Sequence, residues 1–551
     1  MSVGRDTGPS LRVGLVAALL CLAVTSVPYC YGFFATPAGR VYLGLMFDVP
    51  DHAQYWSWVT ASREALFIPN TMTPEPNAAS FLNPAMWLLA RLQAVFGLSF
   101  AALFQWWRLA AALAIGPALA GATRALARSD DSARVAFWIA LAGGGLGWLL
   151  VAAKYALHLP EAPFPQALYI VEPNTWFGLL AYPYLPLAQA FMLIALVGVF
   201  RAHTGTGRAG FAAAAVGALG VALLHAYDLV VVYAVIGTFW LVELRGGRAI
   251  PWRLSWAVLI VIACSAPLAG YYQYLTSTDP LWRAVLAQYV NAGVWTPAPP
   301  LLPVLMGAPL LLAAWRLAAV DWTHTGTRFV VCWALVGSVL IYMPTVFQVK
   351  LLAAYQVPLA LLAADLWCER LGPAMSRAAA RLAAPGLARV VPALVLAALL
   401  LPTNVYLLAW RLIELRRPDS PYYVTHDEQA ALAALAAHST PDDVVLAVEE
   451  LGRWAPNYGK TRAYLAHWAM TNKYLERRDT VRAFFGSNVD DAWRMRTMRG
   501  DRVTLVMWTD RLATPGRTFN PADSPIFEPV FQAPTAGVFR LRADARVGIA
   551  P

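Results

Sequence analysis

Apolar runs, each closed by arginine, proline or a short polar turn, set the pattern of this chain. They are Val13–Phe34, Trp107–Leu126, Ala136–Val151, Trp176–Phe200, Phe211–Leu224, Leu229–Leu241, Leu254–Tyr271, Leu301–Trp315, Phe329–Met343, Leu351–Leu366 and Val390–Trp410. A helix needs about 20 apolar residues to cross a bilayer, so the pattern predicts a mostly helical, polytopic bundle of about eleven spans. Two regions break it. The loop at 35–102 predicts a short amphipathic helix over Asp51–Arg63, with Pro50 where a helix start tolerates proline. Within the loop, the turn region Pro69–Asn77 leads to an apolar stretch, Phe81–Phe96, interrupted by Arg91. It reads as a helix lying in the membrane interface. From Pro418 apolar runs shorten and charges return. There Thr425-His426-Asp427-Glu428 has the form of a capping box opening a helix through His438. Asp443–Val448, Val503–Trp508 and Val538–Arg542 read as strands, and Thr471–Phe485 as a helix. The predicted domains are therefore a membrane part, 1–417, and a small extracytoplasmic α/β part, 418–551.

Composition agrees. Hydrophobic residues make up 59% of the chain and charged residues 13%, against about 25% charged in a soluble domain. The net charge of +10 does not point to nucleic acid, because the arginines sit mostly in short loops. Arg5, Arg12, Arg124, Arg128, Arg134, Arg201, Arg208, Arg245, Arg248 and Arg253 all fall on one side of the alternating runs. Positive residues mark the cytoplasmic side, so the N-terminus is expected in the cytoplasm and the loop at 35–102 outside. Arg411, Arg416 and Arg417 run against this rule. The cysteines Cys21, Cys30, Cys264, Cys332 and Cys368 lie in or beside apolar runs without metal spacing and read as packing residues.

With that topology the unusual polar residues gather on the outer face: Asp48, Asp51, His52, Glu172, Asn174, His225, Asp228 and Lys350. Ionisable residues at the mouth of a membrane bundle mark function by default. Asp51 and Tyr55 are four apart and share a helix face, so Asp51 is a candidate general base towards a hydroxyl. Its structural alternative is a first-turn acid favoured by the helix dipole, and Asp48 has the same alternative. His225 and Asp228 also fit a turn acid with a capping histidine. Lys350 is a candidate phosphate cation or a snorkelling anchor. Asp48, Asp51 and His52 leave metal binding open but lack a recognised spacing.

The order of these features resembles the integral-membrane glycosyltransferases with the GT-C fold, most of all the protein mannosyltransferase and aminoarabinose transferase branch. An early span is followed by Asp51-His52-Ala53-Gln54-Tyr55, which matches that family's acid-x-x-x-Tyr pattern in its first outer loop. Arg108-Leu109 opens the next span as it often does there. Where the family often has a second acid this chain has His52, so His52 or Asp48 is left to stand in for it. The resemblance implies a multi-pass protein of the inner membrane that takes a polyprenyl-phosphate sugar and a glycan, lipid or protein acceptor, needing no soluble cofactor. Asp51 would be the base, with Asp48 beside it. His52, Tyr55, Arg108, Glu172, Asn174, His225, Asp228 and Lys350 would hold substrate. A multi-span lipid or solute transporter with an accessory domain is the alternative, although the sequence shows no paired halves of the kind transporters use and the polar cluster sits at one surface.

Overall fold

The computed structural model describes residues 8–205, 207–247, 249–382, 387–511 and 519–542. Arg5 and Arg248 lie outside them. The chain sorts into two compact units: residues 1–28, 104–272 and 293–413 form one, and residues 29–103, 273–292 and 414–551 the other. The second unit crosses the 417/418 boundary expected from composition, because the first long loop packs with the C-terminal region.

Each apolar run is mostly helical, with non-helical residues inside several of them, at 143–146, 182–183, 307, 353–355 and 401. Among the described residues, six helices are long and apolar enough to cross a membrane: Leu11–Phe34, Phe100–Leu126, Tyr184–Thr204, Asp228–Gly246, Trp252–Thr278 and Gln348–Arg381. The number rises to nine if each of three bent pairs counts as one span. The protein is a multi-pass membrane protein. Gln348–Arg381 is the most enclosed of the six, with 94% of its apolar window buried. It departs from expectation at its end: where the sequence predicts a basic loop after Leu366, a π-helical turn at Trp367–Leu371 leads into a further helix, Gly372–Leu382. Close helix approach relies on small residues. A Cβ on Gly217 would lie 2.6 Å from the Ala195 Cα, so helix Arg208–Leu224 can meet Tyr184–Thr204 only with glycine there.

The bent pairs are Asp130–Ala142 with Gly147–Ala156 (50°), Pro299–Met306 with Ala308–Leu317 (118°), and Val390–Leu400 with Pro402–Glu414 (50°). Their breaks meet. The Gly144 N–H donates to the Leu400 carbonyl at 2.9 Å and the Leu146 N–H to the Val304 carbonyl at 2.8 Å. The Thr403 hydroxyl donates to the Gly145 carbonyl, and the Asn404 amide to the Ala142 carbonyl at 2.8 Å. Irregular backbone survives at membrane depth only where protein satisfies it, and here the break at 143–146 is paired with residues of both other bent pairs.

In the second unit Arg40–Tyr42 pairs antiparallel with Tyr423–Thr425, Arg40 opposite Thr425 and Tyr42 opposite Tyr423. The amphipathic helix begins slightly earlier than predicted and runs Val49–Ala61. Phe81 and Leu82, expected inside a helix, instead pair with Ile68 and Phe67. The helix that follows is Pro84–Phe96, capped by the Asn83 carboxamide. It exposes Leu88, Val95 and Phe96. The C-terminal region forms a five-stranded sheet with spatial order Arg462–Ala463, Val444–Leu446, Leu505–Thr509, Ala536–Leu541, Phe527–Gln532. The first three strands run parallel and the last two antiparallel to their neighbours. The capping box at Thr425 and Glu428 forms and opens helix His426–His438. The strands at 462–463 and 527–532 have weak sequence signals and are additions to the expected set.

Candidate functional site

The candidate residues divide between the two units. Asp48, Asp51, His52 and Tyr55 stand on or just before helix Val49–Ala61. Asp48 takes a left-handed conformation (φ 37°) at the N-cap, and its carboxylate accepts the Asp51 N–H at 3.4 Å. Capping is a structural task, so Asp48 fits its structural alternative, and Asp51, an acid in the first turn, also fits its own. His52 is buried, with Nδ1 2.8 Å from the Asp48 carbonyl oxygen.

Asp51 sits in the first turn of the helix. The Tyr55 hydroxyl donates to its Oδ2 at 3.4 Å, which is the shared face expected from the spacing. Its Oδ1 lies 3.0 Å from Nε2 of His467, a residue that no sequence pattern singles out. His467 belongs to a tight loop between strand Arg462–Ala463 and helix Tyr474–Phe484. The Thr471 hydroxyl accepts the Ala466 and His467 N–H groups and donates to the Met72 carbonyl. The backbone N–H groups of Ala469 and Met470 point at His467 Nδ1, at 3.1 and 3.3 Å. Nδ1 is therefore the acceptor nitrogen, and the ring proton sits on Nε2, facing Asp51. The His467 side chain is 2% exposed and that of Asp51 21%. The result is an accessible carboxylate contacted from behind by a buried imidazole. A lone histidine in the apolar run Tyr464-Leu465-Ala466-His467-Trp468 carries no spacing signal that could have revealed this.

The other candidates lie in the helical unit. Lys350, in the turn Gln348–Leu352, places its ammonium 2.7 Å from Oε1 of Glu172. The Gln189 side chain donates to the Glu172 carbonyl at 2.7 Å, and Gln356 reaches both Gln189 and Thr175. Asn174 caps helix Thr175–Ala181 through the Phe177 N–H and donates to the Asn404 side chain at 2.9 Å. His225 Nδ1 lies 2.9 Å from Oδ1 of Asp228, which has no exposed surface. The Tyr227 ring packs on Phe347 with centroids 4.8 Å apart. The structure thus brings the turns at 172–174, 225–228 and 347–350 together. Arg108 differs from expectation. It is fully buried and donates to the Leu179 carbonyl, the Thr25 and Ser26 hydroxyls and the Gln105 side chain. It ties helices together. Among the described residues no group of three or more His, Cys, Asp or Glu is arranged to hold a metal ion.

No protein-family model matches the sequence, and no curated protein does. Solved structures do. The apo oligosaccharyltransferase of Archaeoglobus fulgidus superposes with a TM-score of 0.53 at 12% identity, over 89% of this chain and 69% of that one. The same enzyme, AglB, in complex with an inhibitory peptide and a dolichol-phosphate, gives 0.51. The arabinofuranosyltransferase AftD from Mycobacteria gives 0.53 at 16% identity, over 97% of this chain but only 42% of AftD. ArnT from Cupriavidus metallidurans, at 0.49 and 13% identity over 95% and 97% of the two chains, is too distant to favour one branch. The likenesses to AglB and AftD show the fold: the chain has the GT-C architecture.

Proposed function

We propose that this protein is a membrane glycosyltransferase that moves a sugar from a polyprenyl-phosphate donor to an extracytoplasmic acceptor hydroxyl, with Asp51 as general base. One observation carries the reading: in a chain with this fold, the Asp51 carboxylate is held by Tyr55 and His467 and remains 21% exposed. Asp51 accepts the acceptor's hydroxyl proton as that oxygen bonds to the anomeric carbon, and the polyprenyl phosphate leaves with the electrons of the broken C–O bond. Inversion at the anomeric carbon follows. The helical unit holds its own candidate group for a polyprenyl phosphate: Lys350 as a point charge, fixed by Glu172, with His225, Asp228, Asn174 and Arg108 of that unit as residues for binding or positioning substrate. A lipid-linked sugar is already activated, so the reaction asks for no soluble cofactor. The dolichol-phosphate bound to AglB supports a polyprenyl carrier. We place the chain in the inner membrane with eleven crossings: the nine from long helices and bent pairs, plus the shorter helices Arg208–Leu224 and Thr325–Leu340. The N-terminus is then cytoplasmic and the C-terminal region extracytoplasmic.

The three bent pairs favour the transporter alternative more than the sequence does, since broken helices line transport sites. Their backbone groups pair with one another, however, which is a structural use. The deciding experiment is mass spectrometry of lipids and glycans from cells lacking the protein, complemented with wild type or Asp51→Asn. The expected result is a missing glycosyl group that wild type restores and Asp51→Asn does not, a loss of about 100-fold or more. Restoration by Asp51→Asn at wild-type membrane levels removes Asp51 from its role.

A further inference from the structure

We infer that His467 is the positioning residue for Asp51: a neutral imidazole, locked in one tautomer by its own loop, that aims the carboxylate through Nε2–H. The inference rests on the reading of Asp51 as the base. Three features separate this contact from an ordinary ion pair. First, both ring nitrogens are committed. Nδ1 accepts two backbone N–H groups, from Ala469 and Met470, and Nε2 faces Asp51 Oδ1 at 3.0 Å. Protonating Nδ1 would set N–H against N–H twice, so the loop itself selects the Nε2–H tautomer. Second, the ring cannot drift. It is 2% exposed, lies beside Trp468, and Trp468 stacks on Tyr289 of helix Pro280–Tyr289. The Gln288 side chain from that helix donates to the Ala469 and Thr471 carbonyls at 3.3 and 3.0 Å, which holds the loop from outside. Third, the contact joins residues 416 apart in sequence. The loop is therefore a fixed strut carrying a single donor to one oxygen of the base, while Tyr55 addresses the other oxygen. A base misplaced by about 1 Å can lose about 100-fold in rate, and that is the size of effect such a strut controls.

Two conservative substitutions separate aiming the base from merely shaping the loop. Asn at 467 places an oxygen where Nδ1 was, keeping an acceptor for the Ala469 and Met470 N–H groups, but cannot reach Asp51. Gln places an N–H donor where Nε2 was and gives up the loop's acceptor. With full-length protein in lipid nanodiscs, and the donor and acceptor classes found missing in the deletion strain, His467→Gln is expected to keep a kcat about tenfold or more above His467→Asn. KM should stay within about twofold of wild type in both, while His467→Asn melts at the higher temperature. If His467→Asn matches or exceeds His467→Gln in kcat, the residue only shapes the loop and the inference is overturned. An activity-free measurement stands beside this: 15N NMR of histidine-labelled wild-type protein, with the His467 signals assigned by their loss in His467→Gln. The expected spectrum shows protonated Nε2 and bare Nδ1, with the Nε2 signal moving in Asp51→Asn. A protonated Nδ1, or an Nε2 signal indifferent to Asp51→Asn, overturns the inference. A wild-type protein that transfers no sugar but shows the coupled tautomer would instead overturn the assignment of Asp51 as a glycosyl-transfer base.

Discussion

The Lys350 ammonium lies 2.7 Å from the Glu172 carboxylate although 178 residues separate them. Their side chains are 18% and 6% exposed. Removing one member of such a pair leaves a poorly solvated charge, which costs about 3 kcal/mol. Lys350→Met is therefore expected to lower the melting temperature clearly, and Lys350→Met with Glu172→Gln to recover most of the loss. Additive effects, within about 0.5 kcal/mol, would show that the two do not act together. If Lys350 also meets a donor phosphate, Lys350→Ala weakens binding of a polyprenyl-phosphate probe more than Lys350→Arg. Equal affinities return Lys350 to an anchoring role.

Sidedness can be checked directly. A reporter fused after Trp410 should read as extracytoplasmic if the chain makes eleven crossings. The pair Pro299–Met306 and Ala308–Leu317 is the sensitive point because it turns through 118°. Should that pair enter and leave by one face, the parity changes and the reporter reads cytoplasmic.

The meeting of the helix breaks predicts a packing effect. A Cβ on Gly145 would collide with the carbonyl oxygens of Val304 and Leu305, so Gly145→Ala should destabilise by about 1–3 kcal/mol. A Cβ on Gly237, within helix Asp228–Gly246, would meet nothing within 4 Å. Gly237→Ala should be neutral or stabilising by up to about 1 kcal/mol. Thermal melting in nanodiscs compares the two, and equal behaviour would mean that the breaks are not tightly joined.

The second unit carries its own acid sensitivity. Burial pushes the Glu75 carboxyl up, but the Thr73 hydroxyl and the Arg477 guanidinium, 2.6 Å away, outweigh it and hold the pKa below its ordinary 4.5. A depressed folded-state pKa contributes stability that is present above the ordinary value and lost as pH falls through the folded one. Melting measured downward from pH 6 should thus show an acid limb below about 4.5 that Glu75→Gln flattens. An unchanged limb in that variant would assign the sensitivity to other carboxylates.

The sequence by itself determined that the chain lives in a membrane, where most of its helices run, and where composition changes. Lipid selects for local properties: a charge-free stretch of sufficient length, arginines at one set of ends, a capping box before an amphipathic run. The spacing of Asp51 and Tyr55 was equally legible, because a helix puts residues four apart on one face. Asp48 also showed both of its faces in the sequence, and the structure puts it at a left-handed N-cap. Tertiary structure alone decided the rest. Nothing local announces that His467 backs Asp51, that Glu172 and Lys350 neutralise one another, that Arg108 is sealed among helices, or that the break at 143–146 is paired with residues of both other bent pairs. Each of these depends on the relative placement of segments far apart in the chain. That placement is set by summed packing and hydrogen bonding across many residues, to which no short stretch of sequence holds the key.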